Sequence, residues 1–120
     1  MSNTTVLVVD DSKVSRMMIT AIIRDLRADW TIIEAASGDD ALQASSGKEI
    51  DLCIIDYNMP SMDGLTLATK LKETFPQIPM SLLTANVQES TQLKAESIGV
   101  VFTRKPITEE RIISILNLVN

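Results

Sequence analysis

Short apolar runs alternate along the chain with longer stretches whose apolar residues recur at helical spacing. The first run, Thr5-Val6-Leu7-Val8-Val9, is rich in β-branched residues and predicts a strand. Further strands are predicted over residues 30–35, 52–55, 80–83 and 100–103. The Leu52-Cys53-Ile54-Ile55 run has no polar alternation, which suits a strand buried on both faces.

Helices fall between them. Ser12 can cap a helix over residues 13–26, where Val14, Met17, Met18, Ala21, Ile22 and Leu26 form the apolar stripe and Ile19 and Ile23 widen it. On this reading Met17 and Met18 belong to the core, and Trp30 covers a sheet edge. Ser37-Gly38-Asp39-Asp40 has capping-box character and opens a short helix over Ala41, Leu42 and Ala44, stopped by Gly47. A third helix starts at Gly64 or Leu65, with Leu65, Ala68, Leu71 and Phe75 on one face. Val87, Thr91, Ala95 and Ile98 mark a weaker fourth, ended by Gly99. Thr108 caps the fifth, with Glu109 and Glu110 in the first turn, where negative charge suits the helix dipole. Ile112, Ile115, Leu116 and Val119 face the core; Ile113 and Leu118 lie off that stripe and are free to meet a partner or a twin. Strict alternation with short connections predicts an α/β fold, a parallel sheet with helices on both faces.

In such a sheet every strand ends on the same edge, so the residues just past each strand share a crevice. They are Asp10 and Asp11, Asp56, Thr84 and Lys105. Each has an ordinary role when taken singly: a helix cap for Asp10 or Asp11, an Asx turn for Asp56, a strand-end hydroxyl, a solvated loop lysine. Together they read differently. Three carboxylates in one crevice repel one another and call for a cation or for protons. Oxygen ligands select a hard ion, Mg²⁺ by preference. A hydroxyl and an ammonium are the donors that phosphoryl oxygens need. The set points to phosphoryl transfer to or from a carboxylate, with Asp56 as the working residue.

Composition narrows the partners. The 120 residues suit one domain, spanning 1–120, and the net charge of -5 argues against a nucleic-acid surface. No apolar run reaches the roughly 18 residues of a membrane span, and no signal peptide is recognisable. The single Cys53 excludes an internal disulfide, reads as a core filler and fits the cytoplasm. The chain has no histidine, so it carries neither a phosphohistidine nor a Ser-His-Asp triad.

The motifs Val8-Val9-Asp10-Asp11-Ser12, Asp56-Tyr57-Asn58-Met59-Pro60-Ser61-Met62-Asp63-Gly64, Leu83-Thr84-Ala85 and Lys105-Pro106, in this order, resemble the receiver domain of two-component response regulators, most closely the stand-alone chemotaxis type. The resemblance covers essentially the whole chain. It implies a flavodoxin-like, doubly wound five-stranded sheet in the order 2-1-3-4-5 with five helices. It implies that Asp56 is the phosphoacceptor, taking its phosphoryl group from a phosphohistidine on a sensor histidine kinase or phosphotransfer protein. It further implies that Asp11, Asp56 and the backbone carbonyl of Asn58 hold Mg²⁺, with Asp10 reaching it through water, and that Lys105 pairs with Asp56 and then with the phosphoryl group. The Lys105–Pro106 peptide is a candidate for the cis form. Thr84 and Phe102 take the switch positions, changing the face made by helix four, strand five and helix five for an unknown protein target. Asn58 and Asn86 stand at the positions that tune acyl phosphate lifetime. Such a module modifies only itself and is not an enzyme acting on other substrates; it works as a monomer or a phosphorylation-dependent dimer.

Two other classes are weighed against this. One is a Mg²⁺-dependent phosphatase with an aspartyl nucleophile, which the haloacid-dehalogenase pattern would give a second aspartate where Asn58 stands. The other is an unphosphorylated scaffold, which has no need of the full set of acids, Thr84 and Lys105. Whether the chain is a whole single-domain regulator or a piece of a longer one is left open.

Overall fold

The computed structural model describes residues 4–85 and 88–119. Strands β1 (Thr5–Val9), β2 (Thr31–Ala35), β3 (Leu52–Asp56), β4 (Met80–Thr84) and β5 (Val100–Arg104) alternate with helices α1 (Lys13–Leu26), α2 (Gly38–Ser45), α3 (Gly64–Thr74), α4 (Glu89–Ser97) and α5 (Glu109–Leu116). All strand pairs are parallel, in the order β2-β1-β3-β4-β5. The alternation predicts the parallel sheet, and its strand order is that of the flavodoxin-like receiver fold that the resemblance implies.

Local chemistry sets the element ends. The side chains of Ser12, Ser37, Asp63 and Thr108 each accept a hydrogen bond from the amide three residues on, starting α1, α2, α3 and α5. The Gln88 side chain at the start of α4 makes no capping hydrogen bond among the described residues, and Ala95 is the helix's one buried residue, which matches its faint apolar pattern. Gly47 and Gly99 follow α2 and α4 with φ of 71° and 75°, the left-handed turn that ends a helix most easily on glycine.

Strand alternation divides the apolar residues between two cores. Leu7, Val9, Cys53, Ile55, Met80 and Leu82 face one side, where Ala41 of α2, Leu67, Ala68 and Leu71 of α3 and Ala95 of α4 cover them. Val6, Val8, Leu52, Ile54 and Leu83 face the other, under Ile19 and Ile23 of α1 and Ile112, Ile115 and Leu116 of α5. The central strands β3 and β4 are buried along their whole length.

The structure corrects the reading of α1. Met17 and Met18 are 59% and 47% exposed, Val14 is more exposed still, and the helix turns Ile19, Thr20 and Ile23 to the sheet. Ile22 and Leu26 of the predicted stripe, with Ile19 and Ile23 beside it, are the residues that pack in the second core, so the helix is rotated toward its widened side. Leu118 is corrected as well: it lies past the end of α5 and packs against the second core beside Val119. In α3, Leu67 is fully buried and Leu65 only half so. Trp30 precedes β2 and is half-buried against the second core, with the Arg27 guanidinium 5.8 Å from its ring centre. Val87 lies outside the described residues.

Candidate functional site

The register brings the sequence-predicted acids together. Val9 pairs with Ile55, so the next residues, Asp10 and Asp56, emerge side by side at the ends of β1 and β3. The Asp10 amide donates to the Ala35 carbonyl at 3.1 Å, continuing the β1–β2 ladder one step beyond the strand. The Ser12 amide donates to Asp10 Oδ1 at 2.9 Å. One carboxylate oxygen from each of Asp10, Asp11 and Asp56 lies within 4.8 Å of the others, with Asp10 and Asp56 buried and Asp11 exposed.

Lys105 closes the crevice. Its backbone amide donates to the Thr84 carbonyl at 2.9 Å, which carries the β4–β5 pairing past β5. The Lys105–Pro106 peptide is cis. The Lys105 ammonium lies 3.0 Å from Asp56 Oδ1 and 4.0 Å from Asp10 Oδ2. Thr84 is buried at the end of β4, next to the residue that pairs with Asp56. Phe102 shares its face of the sheet and is half-buried against the first core, pairing with Leu82. Asn58 is exposed in the loop leaving Asp56, and no hydrogen bond among the described residues ties its side chain to the acids. Asn86 lies outside the described residues.

Close packing fixes the far wall. The Gly64 amide donates to the Tyr57 carbonyl at 2.8 Å. A Cβ on Gly64 would run into the Asp56 carbonyl oxygen and stand 2.9 Å from Tyr57 Cα and from Leu82 Cδ2. Only glycine lets α3 begin this close to the end of β3. In the intervening loop Ser61 has a φ of 70°, an uncommon left-handed conformation for serine.

The electrostatics are unbalanced. Among the described residues, three carboxylates face the Lys105 ammonium, with the Arg16 guanidinium beside Asp10 as a second positive charge. Burial raises the Asp56 carboxyl above its ordinary range; the Lys105 hydrogen bond pulls it back, and the Asp10 charge raises it again. Burial likewise raises Asp10, opposed by the Ser12 amide and the Lys105 charge. Among the described residues, Asp10 Oδ2 is buried without a hydrogen-bond partner, with the Lys105 ammonium 4.0 Å away; an unsatisfied carboxylate oxygen is costly. A small divalent cation with its waters meets each of these needs: hard oxygen donors, excess negative charge and an unsatisfied buried acceptor. The residues present fit Mg²⁺.

A model of the response regulator receiver domain matches residues 6–117. The chain belongs to that family. Among curated relatives, the receiver is 36% identical over 104 residues to sensor protein EvgS of Escherichia coli K12, across 86% of this chain and 8% of EvgS. It is 31% identical over 110 residues to the probable transcriptional regulatory protein TcrX of Mycobacterium tuberculosis, across 91% of this chain and 46% of TcrX. Vibrio cholerae chemotaxis protein CheY4 superimposes with a TM-score of 0.86 at 27% identity, covering 99% of this chain and 100% of the solved one. The receiver thus spans less than half the length of these curated relatives. Receivers of two-component systems are signalling modules phosphorylated by histidine kinases, and this one carries the acidic pocket of Asp10, Asp11 and Asp56. No helix among the described residues is long and apolar enough to cross a membrane.

Two residues of this site escaped the sequence. Gly64 read as turn chemistry, with nothing to announce the contact it makes with β3. Arg16 drew no reading at all, yet its guanidinium donates to the Asp10 carbonyl at 2.6 Å. That partner lies six residues back, beyond the helical spacings that flag side-chain pairs.

Proposed function

We propose that residues 1–120 act as one receiver module in which Asp56 accepts a phosphoryl group from a phosphohistidine on a histidine kinase or phosphotransfer protein. An Asp56 carboxylate oxygen attacks phosphorus, the phosphorus–nitrogen bond to the donor imidazole breaks, and the nitrogen keeps the electron pair. The observation that carries this reading is Asp56 itself, buried at the strand edge, 3.0 Å from Lys105 and within ligand distance of two more acids. Asp11, Asp56 and the Asn58 carbonyl would hold Mg²⁺, with Asp10 reaching it through water. The bound ion supplies charge neutralisation for the incoming phosphoryl oxygens.

Lys105 starts as the partner of Asp56 and passes to a phosphoryl oxygen, while the Thr84 hydroxyl bonds another. Movement of Thr84 opens space on the sheet face it shares with Phe102. Inward rotation of Phe102 then reshapes the surface of α4, β5 and α5 for a downstream protein.

Intact mass after incubation with acetyl phosphate tests the chemistry. One added phosphoryl group is expected in wild type with Mg²⁺, and none in Asp56→Asn or without the ion. Labelling of Asp56→Asn at the wild-type rate would remove Asp56 from its role. Turnover of a generic phosphate ester would favour the aspartyl phosphatase instead.

A further inference from the structure

The three carboxylates are not held alike. Asp56 has Lys105, and Asp10 has the Ser12 amide on Oδ1. Among the described residues, no hydrogen bond holds the Asp11 carboxylate, so the backbone that carries it is what confines the region it can reach. The peptide that joins Asp10 to Asp11 carries the Asp10 carbonyl, and Arg16 Nη1 donates to that oxygen at 2.6 Å. Gripping the carbonyl fixes the peptide plane and with it the places of the Asp11 amide and Cα, from which the carboxylate is hung. Arg16 is in turn braced from the neighbouring strand by Glu34, whose Oε1 lies 3.4 Å from Arg16 Nε.

Packing covers most of the Arg16 side chain, which is 15% exposed, but leaves one side open. An open cavity of about 630 Å³ between α1, the end of β2 and α2, lined by Arg16, Glu34, Ala36, Asp40 and Gln43, leaves the guanidinium room to swing out. Its two polar contacts keep it in. Arginine suits the task because its planar group presents one donor to the carbonyl while its spread charge still faces the Glu34 carboxylate; a lysine is a compact point charge.

The geometry points to Arg16 as the positioning residue of the Asp10–Asp11 pair, acting through the Asp10 carbonyl and braced by Glu34. The inference rests on the cation reading above. Partners one layer out from metal ligands commonly change affinity about tenfold or more when removed.

The test combines Mg²⁺ titration calorimetry, thermal unfolding in metal-free buffer and amide resonances of the metal-free protein, for wild type, Arg16→Ala, Arg16→Lys and Glu34→Gln. Arg16→Ala should bind Mg²⁺ about tenfold more weakly. Its Asp11 amide resonance should move before any metal is added. Arg16→Lys should recover part of the affinity, and Glu34→Gln should lose less, in the same direction. A lowered unfolding temperature with wild-type affinity and an unmoved Asp11 resonance overturns the inference, leaving Arg16 a buttress of α1. If Arg16→Ala fails to fold, wild-type affinity in both Arg16→Lys and Glu34→Gln overturns it equally. Wild type that takes up no Mg²⁺ overturns the cation reading and this inference with it.

Discussion

Asp56 and Asp10 carry charge where burial resists it, and the direction of their titration has a measurable sign. Both carboxyls are raised above the ordinary value of 3.8 by burial first of all. Between that value and the raised ones, the unfolded chain has released protons that the native chain still binds. Stability therefore falls as pH rises through this window, and the loss is complete above it. Asp56→Asn removes one of the two penalties, while Lys105 remains 4.0 Å from Asp10. In metal-free buffer the variant should melt higher than wild type at neutral pH. The gap should close as pH falls toward the ordinary carboxylate value. Melting curves across pH decide it; a variant less stable than wild type at neutral pH would mean that the Lys105 pair outweighs the cost of burial.

At the level of elements, most of the strand edge could be read in advance, because β1, β3 and β4 are largely apolar and the candidate residues Asp10, Asp56 and Thr84 are the polar residues that close them, while Lys105 follows Arg104 at the end of β5. Asp10, Asp56, Thr84 and Lys105 all lie where this logic puts them. The orientation of α1 could not be read the same way. Apolar residues cover so much of the helix, from Val14, Met17 and Met18 round to Ile19, Ile22 and Ile23, that the pattern does not fix which part faces inward; contacts with the sheet decide it. The meeting of α3 with β3 was hidden because glycine has no side chain to mark a contact, and the reach of Arg16 back to Asp10 follows no helical interval. Gly64→Ala tests the first of these. The atoms a new Cβ would meet include backbone of β3, which cannot turn aside, so a loss near the top of the overpacking range is expected, about 3 kcal/mol. A urea midpoint unchanged from wild type would show that α3 can back away.

For the whole molecule, Cys53 offers a built-in reporter. It lies in the middle of β3, fully buried between β1 and β4, and burial pushes its thiol up to about 12. A thiol so placed reacts only as thiolate and only when the sheet opens. Disulfide-exchange labelling of the native protein should therefore proceed at a rate set by global unfolding, with the urea dependence of the full transition. Labelling that ignores urea would reveal a local opening of the sheet. The same architecture gives the crevice one rigid bank and one yielding bank. On the α3 side, helix and strand meet through a glycine with no slack between them. On the β5 side, a half-buried ring stands on the sheet face that Thr84 shares. Added bulk on Asp56 thus meets a wall in one direction and a hinge in the other, and the work of accommodating it is delivered to the β4–β5 edge.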